Sequence, residues 1–452
     1  MMRRFVIIAL VASLALVSCT ESQSLRPWKK GTLDIHCINT GRGESMFYVF
    51  PDGTTMLVDA AGSLLKKHKH MPTEPKPDST MSSGQAIINY IRHFAPKGHA
   101  DSIDYFLLSH YHTDHMGDAK KFLPIHPEGK FLLSSICEVG STIPYKRLIT
   151  RGDPTEVKSS NCAREESISN FARFVNWSVK ANGTKYEFFD PCSDTQIVPV
   201  RGKVKDFKVH NLAANGRFRT APDSDEWTTN MPPKAVLDSL GDPKAYPGEN
   251  ALSTVFILSY GPFDIFAGGD LQWAHRDLHD YFDMEAPVSG LCHKVEVMKA
   301  SHHCTKGANG PEIMNVLRPD AVVAHVWRDV QPNPETLDNI YAANPDCKVF
   351  LTNLHKDNIV RDYLDRFAST SGHIVIRVAN GGKTYTIYTL DDTDPSYRIT
   401  GIWGPFSATD GRVSPVAVAS RPLPLRGPLP LTEPRVATGT GDTRPLVASN
   451  NI

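Results

Sequence analysis

The feature that most constrains this chain of 452 residues is the segment 110–115, which reads HYHTDH in one-letter code. It follows directly after the apolar run 103–108, and a short apolar run of this kind predicts a buried strand. Four side chains that can bind metal therefore lie where a strand ends. Open α/β sheets place their active-site crevices at this end of their strands. Imidazole suits Zn, Cu, Fe and Ni, and carboxylate also accepts Mn and Mg, so the segment predicts a divalent metal site.

The HYHTDH segment resembles the HxHxDH signature of the metallo-β-lactamase superfamily. In that superfamily the first two histidines bind one metal, and the aspartate and the third histidine bind a second. The resemblance implies that His110 and His112 form site one, and that Asp114 and His115 form site two. The fold that it implies is α/β, an αββα sandwich in which two packed β layers carry helices on the outside.

Three later landmarks of the superfamily have counterparts in this chain. Asp59 ends the predicted strand 55–58 and resembles an early aspartate that orients a metal ligand and fixes its tautomer. Asp270 follows an apolar run and Gly-Gly, and it resembles the bridging aspartate, since one carboxylate can span two cations ~3.5–4 Å apart. His302 and His303 follow the strand that ends near residue 300. We expect His302, the first past the strand, to be the last metal ligand, and His303 to face substrate or solvent.

One position departs from the commoner pattern. Many relatives carry another histidine between the signature and the bridging aspartate, whereas residues 248–258 contain none and place Asn250 in that region. The closest resemblance in motif is to the branch found in DNA-uptake proteins of competent bacteria, which tends to have asparagine there. Asn250 is expected either to be a weak neutral ligand or to orient a water. Site one should then bind metal more weakly than site two, or accept Mn, and a mononuclear enzyme is the alternative.

The resemblance implies two divalent metals, Zn in the first instance and Mn as the alternative. It also implies a hydrolase in which a metal-bound hydroxide, oriented by Asp114 and Asp270, attacks the substrate. A phosphodiester is the favoured substrate, and nucleic acid is one candidate. The alternatives are an amide or lactone hydrolase of the β-lactamase type and an inactive metal-binding scaffold, because fold does not decide function. The 49 acidic and 49 basic residues balance, so no global field favours nucleic acid.

The N-terminus predicts export. Arg3 and Arg4 precede the apolar run 5–16, which is too short to span a bilayer as a helix. The sequence LVSC that ends at Cys19 resembles a bacterial lipobox, in which Cys19 would be lipidated after cleavage. The chain is therefore expected to be a membrane-anchored lipoprotein, and the alternative is a secreted or periplasmic protein cleaved near Cys19. The sequence gives no indication of an oligomeric state.

The predicted organisation has four parts. Residues 1–19 are the signal peptide, 20–30 a polar tether, 31–406 the metallo-β-lactamase-like domain and 407–452 a tail. The tail is rich in Pro, Arg and small polar residues and has no apolar period, so it is predicted to be disordered. Within the domain, residues 125–245 are longer than the expected connection and are interpreted as an insertion.

The predicted insertion contains a helix over 164–180, a strand over 204–212 and a long loop over 215–246. Long loops inside a domain are often lids or binding loops. We expect the insertion to cover part of the metal site, with Trp227 as an aromatic wall, and the alternative is a solvated surface excursion. His325 ends a later strand as the ligands do, so it either lines the pocket or is a structural strand-end histidine.

Seven cysteines follow Cys19, an odd number that implies at least one free thiol in an exported chain. Cys162 and Cys192 lie in the same predicted insertion, so a disulfide between them is one alternative. A helix is predicted from Ser82 to the residue before Pro96. A β-hairpin is predicted over 373–389, around an Asn-Gly-Gly turn.

Overall fold

The computed structural model describes residues 24–62, 73–273, 283–358 and 360–413. The predicted signal peptide with Cys19, and residues 414–452 of the predicted tail, lie outside these ranges. Within the described ranges, no helix combines the length and the apolar character that crossing a bilayer requires.

The described residues contain eighteen strands and eight α-helices, joined by turns and loops. The strands in chain order are β1 (Leu33–Cys37), β2 (Met46–Val49), β3 (Thr55–Val58), β4 (Ile103–Leu108), β5 (Tyr145–Thr150), β6 (Lys185–Phe188), β7 (Phe207–Ala214), β8 (Arg217–Arg219), β9 (Trp227–Thr228), β10 (Val255–Tyr260), β11 (Phe263–Ala267), β12 (Val297–Lys299), β13 (Ala321–Ala324), β14 (Lys348–Leu351), β15 (Phe367–Ser369), β16 (His373–Ala379), β17 (Thr384–Leu390) and β18 (Ile399–Ser407). The α-helices are α1 (Ser83–Phe94), α2 (Thr113–Met116), α3 (Ser135–Thr142), α4 (Glu165–Asn182), α5 (Lys234–Ser239), α6 (Glu285–Ser289), α7 (Pro311–Leu317) and α8 (Pro334–Ala343).

The strands form two mixed sheets. The first has the order β18-β17-β16-β1-β2-β3-β4-β5-β6, and the second has the order β15-β14-β13-β12-β11-β10-β7-β8-β9. Neighbours from β3 to β6 and from β11 to β15 pair in parallel, and the other neighbours pair antiparallel. Each sheet therefore has a parallel half, and the carboxyl ends of several parallel strands point to one edge.

Three hydrophobic cores separate four layers. One core lies between the two sheets and contains Ile35, Tyr48 and Leu258. A second joins the outer face of the first sheet to α1, α3 and α4, and a third joins the outer face of the second sheet to α6, α7 and α8. Alternate residues of a strand point to opposite faces, and both faces of strands such as β4 and β10 are covered, which explains why these strands are buried at every residue and largely apolar. The predicted αββα sandwich is confirmed.

Helix α1 shows how the sequence specifies a local element. Ile87, Ile88 and Ile91 recur at helical spacing and are fully buried against the first sheet. The Ser82 hydroxyl accepts a hydrogen bond from the Gln85 N–H at 3.0 Å, which caps the first turn. The helix ends before Pro96, since the residue preceding a proline disfavours helical backbone.

The region predicted as an insertion is part of both sheets instead. Residues 125–245 supply β5 and β6 to the first sheet and β7, β8 and β9 to the second. Helix α4 matches the predicted helix and ends at Gly183, whose φ of 68° allows the left-handed cap. The predicted loop 215–246 contains β8, β9 and α5. Strands such as β5 (YKRLIT) gain their partners from distant parallel neighbours, so their local sequence is a weak signal.

The packed domain extends beyond both of its predicted ends, residues 31 and 406. In the predicted tether, Leu25 is buried, and the Arg26 carbonyl accepts a hydrogen bond from Arg377 at 2.7 Å. Strand β18 runs to Ser407, and the Thr409 N–H donates to Glu296 at 2.9 Å. Order therefore extends beyond the predicted start of the tail, because long-range pairing holds segments that have little apolar periodicity of their own.

The seven cysteines that the structure describes are free, and Cys162 and Cys192 form no disulfide. Cys304, two residues past His302, is fully buried. Burial raises the pKa of its thiol to about 12, so it is a packed, unreactive side chain.

Candidate metal centre

The signature segment lies where the parallel halves of the two sheets meet. His110 comes two residues after β4, and Asp59 directly follows β3 in the same sheet. In the second sheet, Asp270 comes shortly after β11, and the pair His302–His303 follows β12. The structure thus brings segments more than 150 residues apart in the chain to one sheet edge, where the resemblance implied a site.

Asp59 orients the third histidine of the signature. Its Oδ2 accepts a hydrogen bond from His115 Nδ1 at 2.7 Å. The same carboxylate accepts the backbone N–H and the hydroxyl of Ser109, both at 2.7 Å. With Nδ1 held as a donor, His115 Nε2 is left as a lone-pair donor for metal, which is the role that the resemblance gave to Asp59.

One group of potential ligands consists of Asp114, His115, Asp270 and His303, whose ligand atoms all lie within 4.8 Å of one another. Asp270 Oδ2 is 3.1 Å from His115 Nε2 and 3.4 Å from His303 Nε2. Asp114 Oδ2 is also 3.4 Å from His303 Nε2. The structure therefore places His303 in the position that the sequence gave to His302.

The exchange of these two histidines follows from the backbone after β12. His302 and His303 both have positive φ values, 49° and 54°, so the chain turns sharply instead of continuing the strand. The turn directs His303 into the buried group and leaves His302 with its Nε2 3.2 Å from Asn250 Nδ2. The expectation that the first histidine past the strand is the ligand assumed extended backbone, which the structure does not have.

A second group consists of His110, His112 and Asp270. His110 Nε2 is 3.8 Å from Asp270 Oδ2 and 3.1 Å from His112 Nδ1. His112 Nε2 lies 2.9 Å from the Asn161 carbonyl oxygen, so Nε2 carries the proton and donates to that carbonyl. The unprotonated Nδ1 of His112 then faces His110. Asp270 is common to both groups. Asn250 belongs to neither, and its side-chain oxygen has no hydrogen-bond partner among the described residues.

Two ligand atoms of the first group lack hydrogen-bond partners among the described residues, and a bound cation would supply one. His115 Nε2 and His303 Nε2 are buried, and within the described part of the chain neither has a hydrogen bond of acceptable geometry. Unpaired buried polar atoms are costly and call for an explanation such as an ion. Imidazole nitrogens and carboxylate oxygens that converge in this way are a donor set for zinc, iron or manganese.

The carboxylates of the centre are held ionised. Burial alone would raise their pKa values, but neighbouring histidines outweigh it and hold the pKa values of Asp114 and Asp270 well below the usual range. Burial likewise disfavours a charge on His115, yet Asp270 and Asp59 raise its pKa. Burial lowers the pKa of His110, with a further contribution from His115. The centre thus couples carboxylates and imidazoles so closely that each stabilises the charge of the other.

A buried lysine supports Asp270 from behind, and the sequence analysis gave it no role. Lys299 Nζ donates to the Gly269 carbonyl at 2.6 Å and pairs with Glu44 Oε2 at 2.5 Å. It lies 3.7 Å from Asp270 Oδ1, so the ammonium faces one oxygen while the imidazoles face the other. The sequence feature that could have identified it is a lysine at the end of the otherwise apolar strand β12, because a lysine is rarely buried without a partner.

The centre opens into a cavity of about 650 Å³. Its lining residues are Arg42, His112, Thr113, Asp114, Asp118, Lys120, Asn161, Cys162, Ala163, Arg164, Asn250, Gln272, His302, Trp327 and Arg328. The predicted insertion therefore contributes a wall, but through residues 161–164. Trp227 is 48% exposed and lies elsewhere, next to Arg217. His325 is buried and does not line this cavity, and burial lowers its pKa to about 4.

Comparisons with known proteins do not establish what this chain does. No protein-family model matches the chain, and no curated protein matches it. One similar solved structure is that of CmlA, a diiron beta-hydroxylase from Streptomyces venezuelae, with 13% identity and a TM-score of 0.35. The match covers 78% of this chain and 55% of that one, so this chain spans about half the length of that protein. The function is therefore argued from the site itself.

We expect Asp59→Asn to lower the affinity for metal by about 10–100-fold, the usual cost of removing a partner that orients a metal-bound histidine. The amide cannot hold His115 Nδ1 as a donor as firmly as the carboxylate does. Competition with a chromophoric chelator measures the change. Asp52→Asn is the matched control, since Asp52 is also buried, but its carboxylate accepts hydrogen bonds from Thr54 and Arg201 in a turn instead of from a histidine of the centre. Equal metal affinities for wild type and Asp59→Asn would show that Asp59 does not orient a metal ligand.

Proposed function

We propose that this chain is a metal-dependent hydrolase that acts on phosphodiester bonds. The observation that carries the proposal is the convergence of two groups of potential ligands on Asp270, beside a cavity that two of these ligands, His112 and Asp114, line together with four basic side chains. The first group combines two carboxylates with two imidazoles, and three of its four residues are buried, which suits a divalent cation. The second shares Asp270 with it, which suits a pair of cations.

The residues that would hold the metals follow from the two groups. Asp114, His115, Asp270 and His303 would hold one, and His110, His112 and Asp270 the other. Zinc is the first candidate and manganese the second, because the donors are imidazole and carboxylate. Divalent cations in such a centre acidify water to a pKa near ~7 and polarise the oxygen of the substrate.

The chain's own groups orient water and hold the metal ligands in place. Asp114 is partly exposed at the cavity wall, where a carboxylate oxygen that is not bound to metal would accept a hydrogen bond from a water and orient it. His115 is fixed by Asp59 and cannot turn away. Lys299 holds the outer oxygen of Asp270, which keeps the other oxygen directed at the imidazoles. These contacts place the reacting groups before the substrate arrives.

The cavity supports an anionic substrate over a neutral amide. Arg42, Lys120, Arg164 and Arg328 line it, and the acidic residues that line it with them are Asp114 and Asp118. Asp118 pairs with Lys120 at 2.8 Å, so three arginines remain to balance the charge of a substrate. A cleft of one charge sign raises the local concentration of substrates of the opposite sign. A phosphodiester carries such a charge, whereas a neutral amide or lactone does not.

We expect protein without residues 1–19, loaded with zinc or manganese, to hydrolyse bis-p-nitrophenyl phosphate. Chelator should abolish the reaction, and added metal should restore it. Single-stranded DNA and a chromogenic cephalosporin are assayed in parallel, and mass spectrometry gives the metal content per chain. If only the cephalosporin is hydrolysed, the substrate class is an amide and not a phosphodiester. Bound metal without turnover of any substrate would favour an inactive scaffold.

A further inference from the structure

Three arginines in the metal cavity have no acidic partner. Arg42, Arg164 and Arg328 line the cavity, and no carboxylate of the described residues lies within ion-pair distance of their guanidinium groups. Other arginines of the same fold do have such partners, for example Arg151 with Glu249 and Arg377 with Asp34. Among the residues that the structure describes, the cavity therefore has three positive charges that no carboxylate pairs with.

Two of these arginines share one aromatic ring. The guanidinium carbon of Arg42 lies 5.2 Å from the centre of the Trp327 ring, and that of Arg328 lies 5.5 Å from it. Trp327 is only 9% exposed, so the indole is a firm support for both side chains. A cation near an indole face is attracted to it, which favours positions of both guanidinium groups beside the cavity that they line. An oxyanion bound there would gain a charged hydrogen-bond donor from each arginine that it reaches.

The position of Arg42 is fixed relative to the metal centre. Its Nη2 donates to the Thr113 hydroxyl at 3.1 Å, next to Asp114. The backbone beside it is packed against the signature segment, since the Glu44 N–H donates to the Asp114 carbonyl at 2.9 Å. A side chain on Gly43 would come within 2.0 Å of that carbonyl, so only glycine allows this approach. Arg42 is thus pre-organised at a set distance from the centre, which reduces the entropy lost on binding.

We propose that the cavity binds substrates with two anionic groups, one at the metal centre and a second oxyanion held by Arg42 and Arg328. The inference rests on the proposed function for the place of the first group. Guanidinium groups match phosphate and carboxylate oxygens with paired N–H donors, so either oxyanion fits the second position. A substrate with a single charge would leave these arginines unpaired and would bind more weakly.

The test is calorimetric titration of the metal-loaded full chain with methylphosphonate and with alkane bisphosphonates of increasing chain length. We expect at least one chain length to bind roughly tenfold or more tightly than methylphosphonate, a gain typical of charge-assisted hydrogen bonds. Arg42→Met and Arg328→Met should each remove most of that gain. Carboxyalkyl phosphonates of the same lengths show whether a carboxylate serves as well as a phosphonate. Metal content is measured after each titration, because bisphosphonates also chelate free metal.

Arg366→Met is the matched control, since Arg366 also lies over an aromatic ring, that of Tyr341, but outside the cavity. This variant should keep the full gain in affinity.

Equal affinity for methylphosphonate and every bisphosphonate, or a gain in affinity that survives in Arg42→Met, would overturn the inference. Hydrolysis of bis-p-nitrophenyl phosphate is scored separately. If hydrolysis is absent but the gain is present and depends on Arg42, the second site stands and the proposed reaction fails. If hydrolysis occurs without any gain, only the second site fails.

Discussion

Asp270→Asn is expected to abolish hydrolysis and to lower metal affinity by more than about 100-fold, since losing a residue that merely orients a metal ligand already costs 10–100-fold. The physical reason is that Asp270 Oδ2 faces three imidazoles, those of His110, His115 and His303, at 3.1 to 3.8 Å. An amide is neutral, and its oxygen attracts cations less than a carboxylate does. Metal content by mass spectrometry and turnover of bis-p-nitrophenyl phosphate measure the two effects.

The matched control is Asp264→Asn. Asp264 is a fully buried aspartate on β11, the strand that leads to Asp270, and it lies 3.0 Å from His293 instead of the metal centre. This variant should keep the metal content of wild type even if it unfolds at a lower temperature. Full metal content and turnover in Asp270→Asn would show that the two groups of ligands do not form the centre proposed here.

Glu249→Gln is expected to lower the free energy of unfolding by about 3–5 kcal/mol, the usual cost of removing one partner of a buried ion pair. Glu249 and Arg151 are both buried, and Arg151 Nε lies 2.6 Å from Glu249 Oε1. The same carboxylate oxygen accepts the Tyr111 N–H, inside the signature segment, at 2.8 Å. The change would leave a buried guanidinium without its counter-charge and would loosen the segment that carries His110 and His112. Urea denaturation of the metal-free protein measures the loss.

Two further variants separate the charge effect from a general effect of substitution. Lys234→Met breaks an exposed pair with Asp238 and should change the free energy of unfolding by less than about 1 kcal/mol. The double variant Arg151→Met with Glu249→Leu removes both charges and should recover much of the stability that Glu249→Gln loses. A double variant no more stable than Glu249→Gln would show that packing and the bond to Tyr111, and not the charge, account for the loss.

The same ion pair sets a pH dependence with a definite sign. Burial opposes ionisation of Glu249, but Arg151 outweighs it and lowers the pKa of the carboxyl in the folded protein. The unfolded chain therefore binds the proton more readily, so the contribution of Glu249 to stability is complete above about pH 4.3 and is lost on acidification. In Glu249→Gln this part of the acid destabilisation should be absent.

The sequence by itself determined the elements whose signals are local. Apolar runs that end in polar side chains identified β4, β11 and β12, and the spacing of Ile87, Ile88 and Ile91 identified α1 with its cap. The signature segment could be found because four potential metal ligands follow a predicted strand. Asp59, Asp270 and the sandwich architecture were expected from the resemblance to the metallo-β-lactamase superfamily, whose landmarks these segments match.

Only the tertiary structure decided the features that depend on contacts between distant segments. It placed His303, and not His302, among the potential metal ligands, because the positive φ values of these two residues turn the chain after β12. It drew residues 125–245 into both sheets, since β5 and β7 acquire their hydrogen bonds from partners far away in the chain. It also placed Lys299 behind Asp270 and Arg42 beside Thr113. A sequence shows which side chains a segment carries, but their direction and their neighbours are set by backbone turns and long-range packing.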